Sequence, residues 1–286
     1  MSTKKTVKTL EKDVRHVART GEGFTEEIAH WVGDVVGKSV QRQLVDEAQP
    51  RGNLRFSSLG TPCSRKLWHS VNSADKSLPL SYDTKNKFIF GDIIEALALG
   101  YCKASGHDVT GLQDRVEILG VRGSRDCIID GMVFDVKSTS TRGVSKFINN
   151  GLREDDPFGY LSQLSSYLYG SLDDESVTYK DKAGFIAIDK QFGGIYVDIY
   201  DLSDYLGAIK EEEVKKAKSV VSQSKPPPIP YDPVPIGKSG NKGLALPCRY
   251  CDFKHLCYPE ARVFQYSSGP MWLVEVNKEP NVMEIT

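Results

Sequence analysis

Two aspartates and a lysine around a predicted β-turn are the residues of this sequence best placed to do chemistry. Two short apolar runs flank Asp130-Gly131, and Asp-Gly between such runs is typical of a two-residue hairpin turn. With these residues as the loop, Asp126 lies directly opposite Asp135 on the partner strand. Lys137 lies on the same face as Asp135, because side chains alternate along a strand. The hairpin is therefore predicted to present two carboxylates and an amine together.

Such an arrangement favours a bound divalent cation. Carboxylates on directly opposed residues repel each other, since their Cβ atoms are only about 4.5 to 5.5 Å apart. Magnesium or manganese would offset that repulsion through carboxylate oxygens, and substrate phosphates usually complete the shell of these ions. The pattern therefore fits metal-assisted cleavage of a phosphodiester. The alternative is a solvated hairpin on which Asp135 and Lys137 form a surface ion pair.

The composition is that of a soluble globular protein. The chain has 286 residues, of which 40% are hydrophobic and 26% are charged, and this length allows one large domain or two small ones. The formal net charge of -1 gives no overall basic field, so nucleic acid would have to be bound by local patches. No apolar leader and no run of about 18 apolar residues is visible. We therefore expect a cytoplasmic protein that does not interact with membranes.

Three cysteines near the end of the chain have the spacing of metal ligands. Cys248-x-x-Cys251 is followed after five residues by Cys257, and in a reducing compartment such a group indicates metal binding rather than disulfides. A zinc site or a cubane cluster needs a fourth ligand. The candidates are His255 and Cys63, which lies at a predicted helix start. The spacing does not distinguish zinc from an iron-sulfur cluster.

The other two cysteines, Cys102 and Cys127, lie in apolar surroundings and are predicted to be ordinary buried thiols. A metal centre that joins residue 63 to residue 257 would close most of the chain into a loop. Metal binding would then contribute to folding free energy, and chelation should loosen the fold.

The apolar periodicity predicts helices that must position these residues. They run from Thr25 to before Pro50, from Pro62 onward, over 84–104, over Phe158–Tyr169 and over 201–221. Residues 1–22 are polar, and a frayed start is expected there. The apolar helix 84–104 carries Asp92 and Glu95. An acid in so apolar a segment either faces solvent or turns inward to a cation.

Short apolar runs predict strands at Val116–Val121, 183–188 and 194–200, besides the hairpin. The hairpin register pairs Ile129 with Met132, Ile128 with Val133 and Cys127 with Phe134. In the helix over 201–221, Leu202, Leu206, Ile209, Val214 and Val221 are expected to face inward. The proline-rich segment 225–236 is expected to be an extended strap or spacer.

Taken in their order along the chain, the motifs resemble those of a RecB-like nuclease of the PD-(D/E)XK superfamily, in its iron-sulfur branch. That branch includes the CRISPR-adaptation nucleases, the AddB nuclease domain and viral exonucleases. The resemblance spans residues 63 to 257 and consists of a lone cysteine, a helix with a metal-binding acid, G-x-x-D, D-x-K, Q-x-x-x-Y and C-x2-C-x5-C. Each motif alone is weak, but the ordered set is specific.

The resemblance implies an α/β fold with a restriction-endonuclease-like core, in which helices flank a central mixed sheet. A cysteine-ligated cluster would join the N- and C-terminal segments. The implied organisation is an N-terminal helical region over 1–50, a nuclease domain over 51–262 that includes the strap 225–236, and a C-terminal tail over 263–286.

The resemblance also assigns roles to the acids and the lysine. Asp126 and Asp135 would be metal ligands and Lys137 the catalytic lysine. Glu95 stands where many relatives have histidine, in the motif Gly91-Asp-Ile-Ile-Glu. Glutamate is a natural oxygen donor for magnesium, so Glu95 is expected to be the third ligand.

Further motifs imply DNA contacts and a second metal centre. Gln163 and Tyr167 match Q-x-x-x-Y, which in the family contacts DNA and supports the active site. The ligands of a [4Fe-4S] cluster would be Cys63, Cys248, Cys251 and Cys257, and structural zinc is the alternative.

The expected function is that of a Mg²⁺- or Mn²⁺-dependent DNA nuclease. It would act as an exonuclease on single-stranded or duplex DNA ends in recombination, repair or phage- or CRISPR-associated DNA processing, and endonuclease activity stays open. One alternative is a non-cleaving module, derived from a nuclease, that binds DNA ends or a partner and has a structural zinc or iron-sulfur site. Another is a redox-responsive protein whose cluster tunes DNA binding.

Overall fold

The structure, a computed structural model, describes residues 5–46, 52–80 and 82–285. Its helices are α1 (Leu10–Thr20), α2 (Glu26–Leu44), α3 (Phe56–Leu59), α4 (Ser64–Asn72), α5 (Tyr82–Ala104), α6 (Thr141–Val144), α7 (Tyr160–Tyr169), α8 (Ala208–Val221), α9 (Leu246–Arg249) and α10 (Lys254–Cys257). Its strands are β1 (Val109–Thr110), β2 (Arg115–Ile118), β3 (Val121–Ser124), β4 (Cys127–Ile129), β5 (Met132–Thr139), β6 (Lys182–Asp189), β7 (Ile195–Asp201), β8 (Val234–Pro235), β9 (Lys242–Gly243), β10 (Arg262–Tyr266), β11 (Gly269–Glu275) and β12 (Glu284–Ile285).

The chain divides into two compact units. The first unit comprises residues 1–49, 54–62 and 81–218, and the second comprises 50–53, 63–80 and 219–286. The region expected as one nuclease domain, 51–262, is thus shared between the two units. Its expected boundary at residues 50 and 51 lies outside the described residues.

A five-stranded mixed sheet forms the centre of the first unit. The strand order is β1-β4-β5-β6-β7, in which β5 and β6 are parallel and the other neighbours are antiparallel. One face packs on α1 and α5 through a core that includes Leu10, Leu99 and Phe134. On the other face, Phe185 contacts Tyr160 of α7. This confirms the expected mixed α/β architecture, with helices on either side of the sheet.

The hairpin β4–β5 has the predicted register. Ile129 pairs with Met132, Ile128 with Val133 and Cys127 with Phe134. Both turn residues have positive φ, 49° at Asp130 and 84° at Gly131, as the two-residue turn that matches strand twist requires. The turn chemistry therefore fixes which residues of β5 face which way.

Neighbouring side chains also hold the turn. Asp130 Oδ2 lies 2.6 Å from Nδ1 of the buried His107, and Asp130 Oδ1 accepts a hydrogen bond from the Asp108 N–H at 3.0 Å. His107 Nε2 lies 3.3 Å from Asp13 Oδ2 on α1. The histidine thus links the first helix to the hairpin through two carboxylates.

Two expectations for the first part of the chain are wrong. The segment expected to be frayed contains α1, in which Leu10, Val14 and Val17 are buried, at spacings that lie on one face of a helix. The single strand expected at Val116–Val121 is instead the hairpin β2–β3, which turns at Leu119 and Gly120 with φ of 50° and 83°. Leucine is an unusual residue for such a turn, so the local residue pattern does not indicate one there.

The helix expected over 201–221 is also interrupted. A 3₁₀ turn at Ser203–Tyr205 precedes α8, and Gly207 between them has a φ of 62°. The inward face of α8 therefore includes Lys210 and Val214, whereas Ile209, expected to be buried, is 60% exposed. Lys210 Nζ donates to the Ser162 carbonyl at 3.0 Å, so the buried amine has a partner on α7.

The long helices α2 and α5 lie against each other. Thr25 caps α2 by accepting a hydrogen bond from the Ile28 N–H, and Arg42 Nη2 lies 2.7 Å from Asp92 Oδ2 on α5. The apolar stripe of α2 is only partly covered, and Leu44 at its end is 59% exposed. No helix within the described ranges is long and apolar enough to cross a membrane.

The second unit contains an antiparallel sheet with the strand order β12-β10-β11-β9-β8. Residues 263–286, expected as a tail, contain nearly all of β10 together with β11 and β12, and Phe264 and Leu273 are buried in the sheet. Within the proline-rich segment expected to be an extended strap, Val234–Pro235 forms β8. Arg65 of α4 donates to the Pro227 carbonyl at 2.7 Å, so the strap is attached to a helix of the same unit.

We predict that Gly131→Ala lowers the free energy of unfolding by about 2 to 4 kcal/mol, because the new Cβ meets the Thr178 side chain at a positive φ. The matched control is Gly120→Ala, which has a similar φ but open space around its Cβ. It should lose only about 1 to 2 kcal/mol. Denaturant unfolding measures both variants, and equal losses would contradict a tightly packed turn at Gly131.

Candidate active site

Asp135 and Lys137 form a buried ion pair on β5. Lys137 Nζ lies 2.5 Å from Asp135 Oδ2, and only 2% of Asp135 is exposed. Beyond this contact, Asp135 Oδ2 has no hydrogen-bond partner among the described residues. The alternative of a solvated surface pair is therefore wrong, because the aspartate lies inside the protein.

The other two predicted acids reach the same place from different elements. Asp126 precedes β4, and its Oδ2 accepts a hydrogen bond from the Val136 N–H at 2.8 Å. Glu95 comes from α5, and its charge acts on Asp126 and on Lys137. The fold thus gathers the three predicted carboxylates and the predicted lysine.

Gln113 links two of the acids and was not predicted. Its Nε2 donates to Glu95 Oε1 at 2.7 Å and lies 3.4 Å from Asp126 Oδ1. The residue has a φ of 54°, which is uncommon for residues other than glycine, asparagine or aspartate. No sequence motif marks Gln113, because only the fold brings its loop beside α5.

Burial and mutual repulsion disfavour the charged forms of all three acids. Burial raises the pKa of Glu95 to about 7, with further increases from Asp135 and Asp92, although the hydrogen bond from Gln113 opposes them. The pKa of Asp126 is raised well above its usual value, first by burial and then by Asp135 and Glu95. Burial likewise raises the pKa of Asp135, against the opposing effect of Lys137. Three acids thus share a site with one lysine, and without a cation their neutral forms are favoured.

Lys137 keeps its charge in this site. Burial alone would lower its pKa, but attraction to Asp135 and Asp126 outweighs burial and raises it. Lys137 Nζ also donates to Gln163 Oε1 at 3.4 Å and lies 5.0 Å from the ring centre of Tyr160. The ammonium is thus fixed by a carboxylate, an amide and an aromatic face.

The predicted pair Gln163 and Tyr167 stands behind the lysine. Gln163 Nε2 donates to the Tyr167 hydroxyl at 2.8 Å, as their four-residue spacing on α7 allows. Tyr167 is only 5% exposed and packs on Phe56, with ring centres 5.9 Å apart. This geometry gives Tyr167 a supporting role rather than a surface for contact. Tyr160, about one turn before Gln163 on α7, was not singled out in the sequence.

The second unit brings four cysteines together. Burial raises the pKa of Cys248 to about 11, and repulsion from Cys251, Cys63 and Cys257 contributes to the increase. Cys63 caps α4 by accepting a hydrogen bond from the Lys66 N–H at 3.3 Å. Three cysteines of one loop thus lie near a fourth that is remote in sequence.

Three further side chains in this unit bear on the choice of ligands. Arg65 Nε donates to Cys257 Sγ at 3.3 Å. His255, the alternative fourth ligand, has a buried Nδ1 that lacks a hydrogen-bond partner among the described residues, and so does His69 at Nε2. The geometry therefore leaves both cysteine and histidine available as the fourth ligand.

Cys102 and Cys127 are fully buried in the core of the first unit, which confirms the prediction for these two thiols. Burial raises the pKa of Cys102 to about 12.

Among all the residues that the structure describes, no three histidine, cysteine, aspartate or glutamate side chains stand close enough to form a ready-made metal site. The acids of the first unit lie near one another, and so do the thiols of the second unit, but neither group has the geometry of a formed metal site.

We predict that the metal-free protein loses stability as pH rises from about 4.5 to about 7. The pKa of Glu95 in the folded protein, about 7, lies above its ordinary value of 4.5. The folded state thus binds this proton more tightly than the unfolded state, and the stabilisation is lost as pH rises through the folded pKa. Glu95→Gln should reduce this pH dependence, because an amide does not titrate in this range. The amide oxygen can still accept the hydrogen bond from Gln113.

Thermal unfolding in EDTA across this pH range measures the effect. The exposed Glu212 supplies the control, because Glu212→Gln should leave the wild-type curve unchanged. A Glu95→Gln curve parallel to that of the wild type would contradict the raised pKa.

Comparisons with known proteins give little to add to this geometry. No protein-family model matches the chain, and no curated protein matches it. A solved structure described as the crystal structure of SSO0001 aligns with 79% of this chain and 95% of its own, with 14% sequence identity and a TM-score of 0.40. At that identity and TM-score, the similarity supports no conclusion about the fold or activity of this protein.

Proposed function

We propose that the protein is a metal-dependent DNA nuclease with a restriction-endonuclease-like core, related to the RecB-like enzymes that its motifs resemble. The observation that carries the proposal is the convergence of Glu95 from α5, Asp126 from just before β4, and Asp135 and Lys137 from β5. Burying three acids together destabilises a protein unless a ligand offsets the charge. The arrangement is therefore better explained by function than by stability.

The donor set fits a hard divalent cation. Magnesium and manganese prefer carboxylate oxygens, and Asp135 Oδ2 is a buried oxygen whose one close contact among the described residues is Lys137. Glu95, Asp126 and Asp135 would hold the ion. When bound, it would polarise the scissile phosphate and lower the pKa of a bound water.

Lys137 would stabilise the negative charge that develops on the phosphate. Its raised pKa keeps it protonated at neutral pH, and a positioned ammonium stabilises such charge strongly in a site that excludes water. The ring of Tyr160 and the amide of Gln163 limit where its Nζ can move. Gln113 would hold Glu95 in place for the ion. Tyr160, Gln163 and Gln113 would therefore be positioning residues.

We further propose that the second unit binds a [4Fe-4S] cluster through Cys63, Cys248, Cys251 and Cys257. Support comes from the mutual influence of the four thiols and from N–H donors to two of the sulfurs, Lys66 to Cys63 and Arg65 to Cys257. Such donors stabilise thiolate ligands. The centre would be structural, holding α4 to the cysteine loop. Zinc, with three thiolates and His255 or with four thiolates, is the alternative.

Asp135→Asn and Lys137→Met should each lower manganese-dependent cleavage at least about 100-fold, because each removes a charge at the reacting phosphate. End-labelled single-stranded and duplex DNA with defined ends would report activity, direction and strand preference together. The exposed Asp173 offers a control, since Asp173→Asn should cleave like the wild type.

A manganese-binding measurement distinguishes a variant that has lost only the charge from one that has lost its fold. Manganese should raise the melting temperature of the wild type, because a ligand that binds only the folded state stabilises it. Asp135→Asn should keep the fold, as judged by circular dichroism, but lose this increase. Retained cleavage by either variant would contradict the site, and a wild type that binds DNA ends without cutting them would favour the non-cleaving module.

Cys63→Ser should lower the iron content and visible absorption of anaerobically purified protein, because one of four ligands is lost. It should also lower the melting temperature, since ligation contributes to folding. Cys102→Ala is the control, and it should keep the metal because its thiol lies in the core of the first unit. A colourless wild type with stoichiometric zinc would contradict the cluster.

A further inference from the structure

Phe158 is an aromatic side chain placed in water beside the candidate active site. It lies two residues before the first residue of α7 and is 65% exposed. Exposed apolar side chains are common on protein surfaces, so the exposure alone implies nothing. What distinguishes Phe158 is the rigidity of its backbone and the contacts that lead from it to the catalytic lysine.

The turn that carries Phe158 is fixed on both sides. Asp156 caps α7, because its two carboxylate oxygens accept hydrogen bonds from the N–H groups of Tyr160 and Leu161, both at 2.8 Å. Gly159 has a φ of 71° and packs so closely on Gly60 that a Cβ there would collide with the Gly60 backbone. A ring held on such a turn needs little ordering when a ligand binds.

A short chain of contacts joins Phe158 to the reacting groups. Its ring centre lies 5.5 Å from that of Tyr160, at an interplanar angle of 37°. The Tyr160 ring lies 5.0 Å from Lys137 Nζ, and this nitrogen is in turn 2.5 Å from Asp135 Oδ2. Tyr160 is supported from behind by Phe147 and Phe185. Phe158 is thus the exposed end of an aromatic group in which the partly buried ring of Tyr160 lies against the lysine.

Resting on the nuclease function proposed above, we infer that Phe158 is the platform on which one base of the bound DNA strand stacks, and that this stacking sets which phosphate reaches Lys137. Bases stack on exposed aromatic rings in proteins that bind single strands, whatever the base, because every base has a π face. Phe158 therefore fixes the register of the strand and does not read its sequence. The stacked nucleotide has to be unpaired, since a base inside a duplex cannot reach the ring.

The test combines substrates that lack one base with a protein variant that lacks the Phe158 ring. End-labelled single-stranded oligonucleotides, each with one abasic nucleotide at a different position, are cleaved in manganese by the wild type, Phe158→Ala and Phe158→Trp. For the wild type, the abasic nucleotide should raise KM about 5- to 100-fold at one position relative to the cleaved bond and have little effect elsewhere, with kcat nearly unchanged. Phe158→Ala should show this rise in KM on the intact strand and no further rise at the sensitive position. Phe158→Trp should behave like the wild type.

Tyr82→Ala is the matched control, because Tyr82 is another exposed aromatic residue, 83% exposed. It begins α5, thirteen residues before Glu95, which places it about 20 Å from Glu95 along the helix. It should keep the wild-type KM and the wild-type abasic profile. Unchanged melting temperatures would show that none of the variants has altered the fold.

The outcomes separate this inference from the function on which it rests. A wild type that cleaves, but whose abasic profile is the same as that of Phe158→Ala, would overturn the stacking role and leave the nuclease proposal standing. Equal increases in KM for Tyr82→Ala and Phe158→Ala would also overturn the stacking role alone. A wild type that cleaves none of the strands would overturn the nuclease proposal and, with it, the role of Phe158.

Discussion

The buried ion pair between Asp135 and Lys137 is the interaction on which the candidate site depends. Taking two charges out of water is unfavourable unless their attraction and further hydrogen bonds compensate. Here the attraction is close, since the charged atoms are 2.5 Å apart, yet two further carboxyl groups, Glu95 and Asp126, lie beside the pair with raised pKa values. The folded, metal-free site thus disfavours the ionised forms of these acids. A divalent cation is the simplest ligand that would stabilise the ionised forms, and this is why we propose a metal-dependent reaction.

The rest of the first unit holds these charges at fixed places. The turn at Asp130-Gly131 sets the register of β5, and therefore sets which of its residues face α7. His107 ties that turn to α1, so the first helix helps to position the hairpin. Gln163 confines the lysine from α7. The polar contacts come from elements far apart in sequence, and they act together only because the sheet is packed on both faces.

The second unit has a different organising principle. Its described residues include an antiparallel sheet and a group of four cysteines, and small units of this kind often depend on a metal or disulfides for stability. Arg65 contacts both Cys257 and the Pro227 carbonyl of the strap. The strap and the cysteine group are therefore connected through one side chain. If a metal is bound there, it would stabilise α4, the strap and the cysteine loop together.

The sequence by itself determined the local features. It determined the hairpin register, because Asp-Gly between apolar runs specifies one turn, and it determined the helices over 84–104 and 158–169 to within about two residues, because their apolar periodicity is strong. It also pointed to Asp135 and Lys137 through their spacing on β5 and to Asp126 through the turn, whereas Glu95 was assigned from the family resemblance. Only the tertiary structure decided that Glu95 turns inward while Asp92 pairs with Arg42, that Gln113 joins two of the acids, and that Phe158 stands exposed beside the site. These depend on contacts between segments distant in the chain, and such contacts leave no periodic or local signal in the sequence.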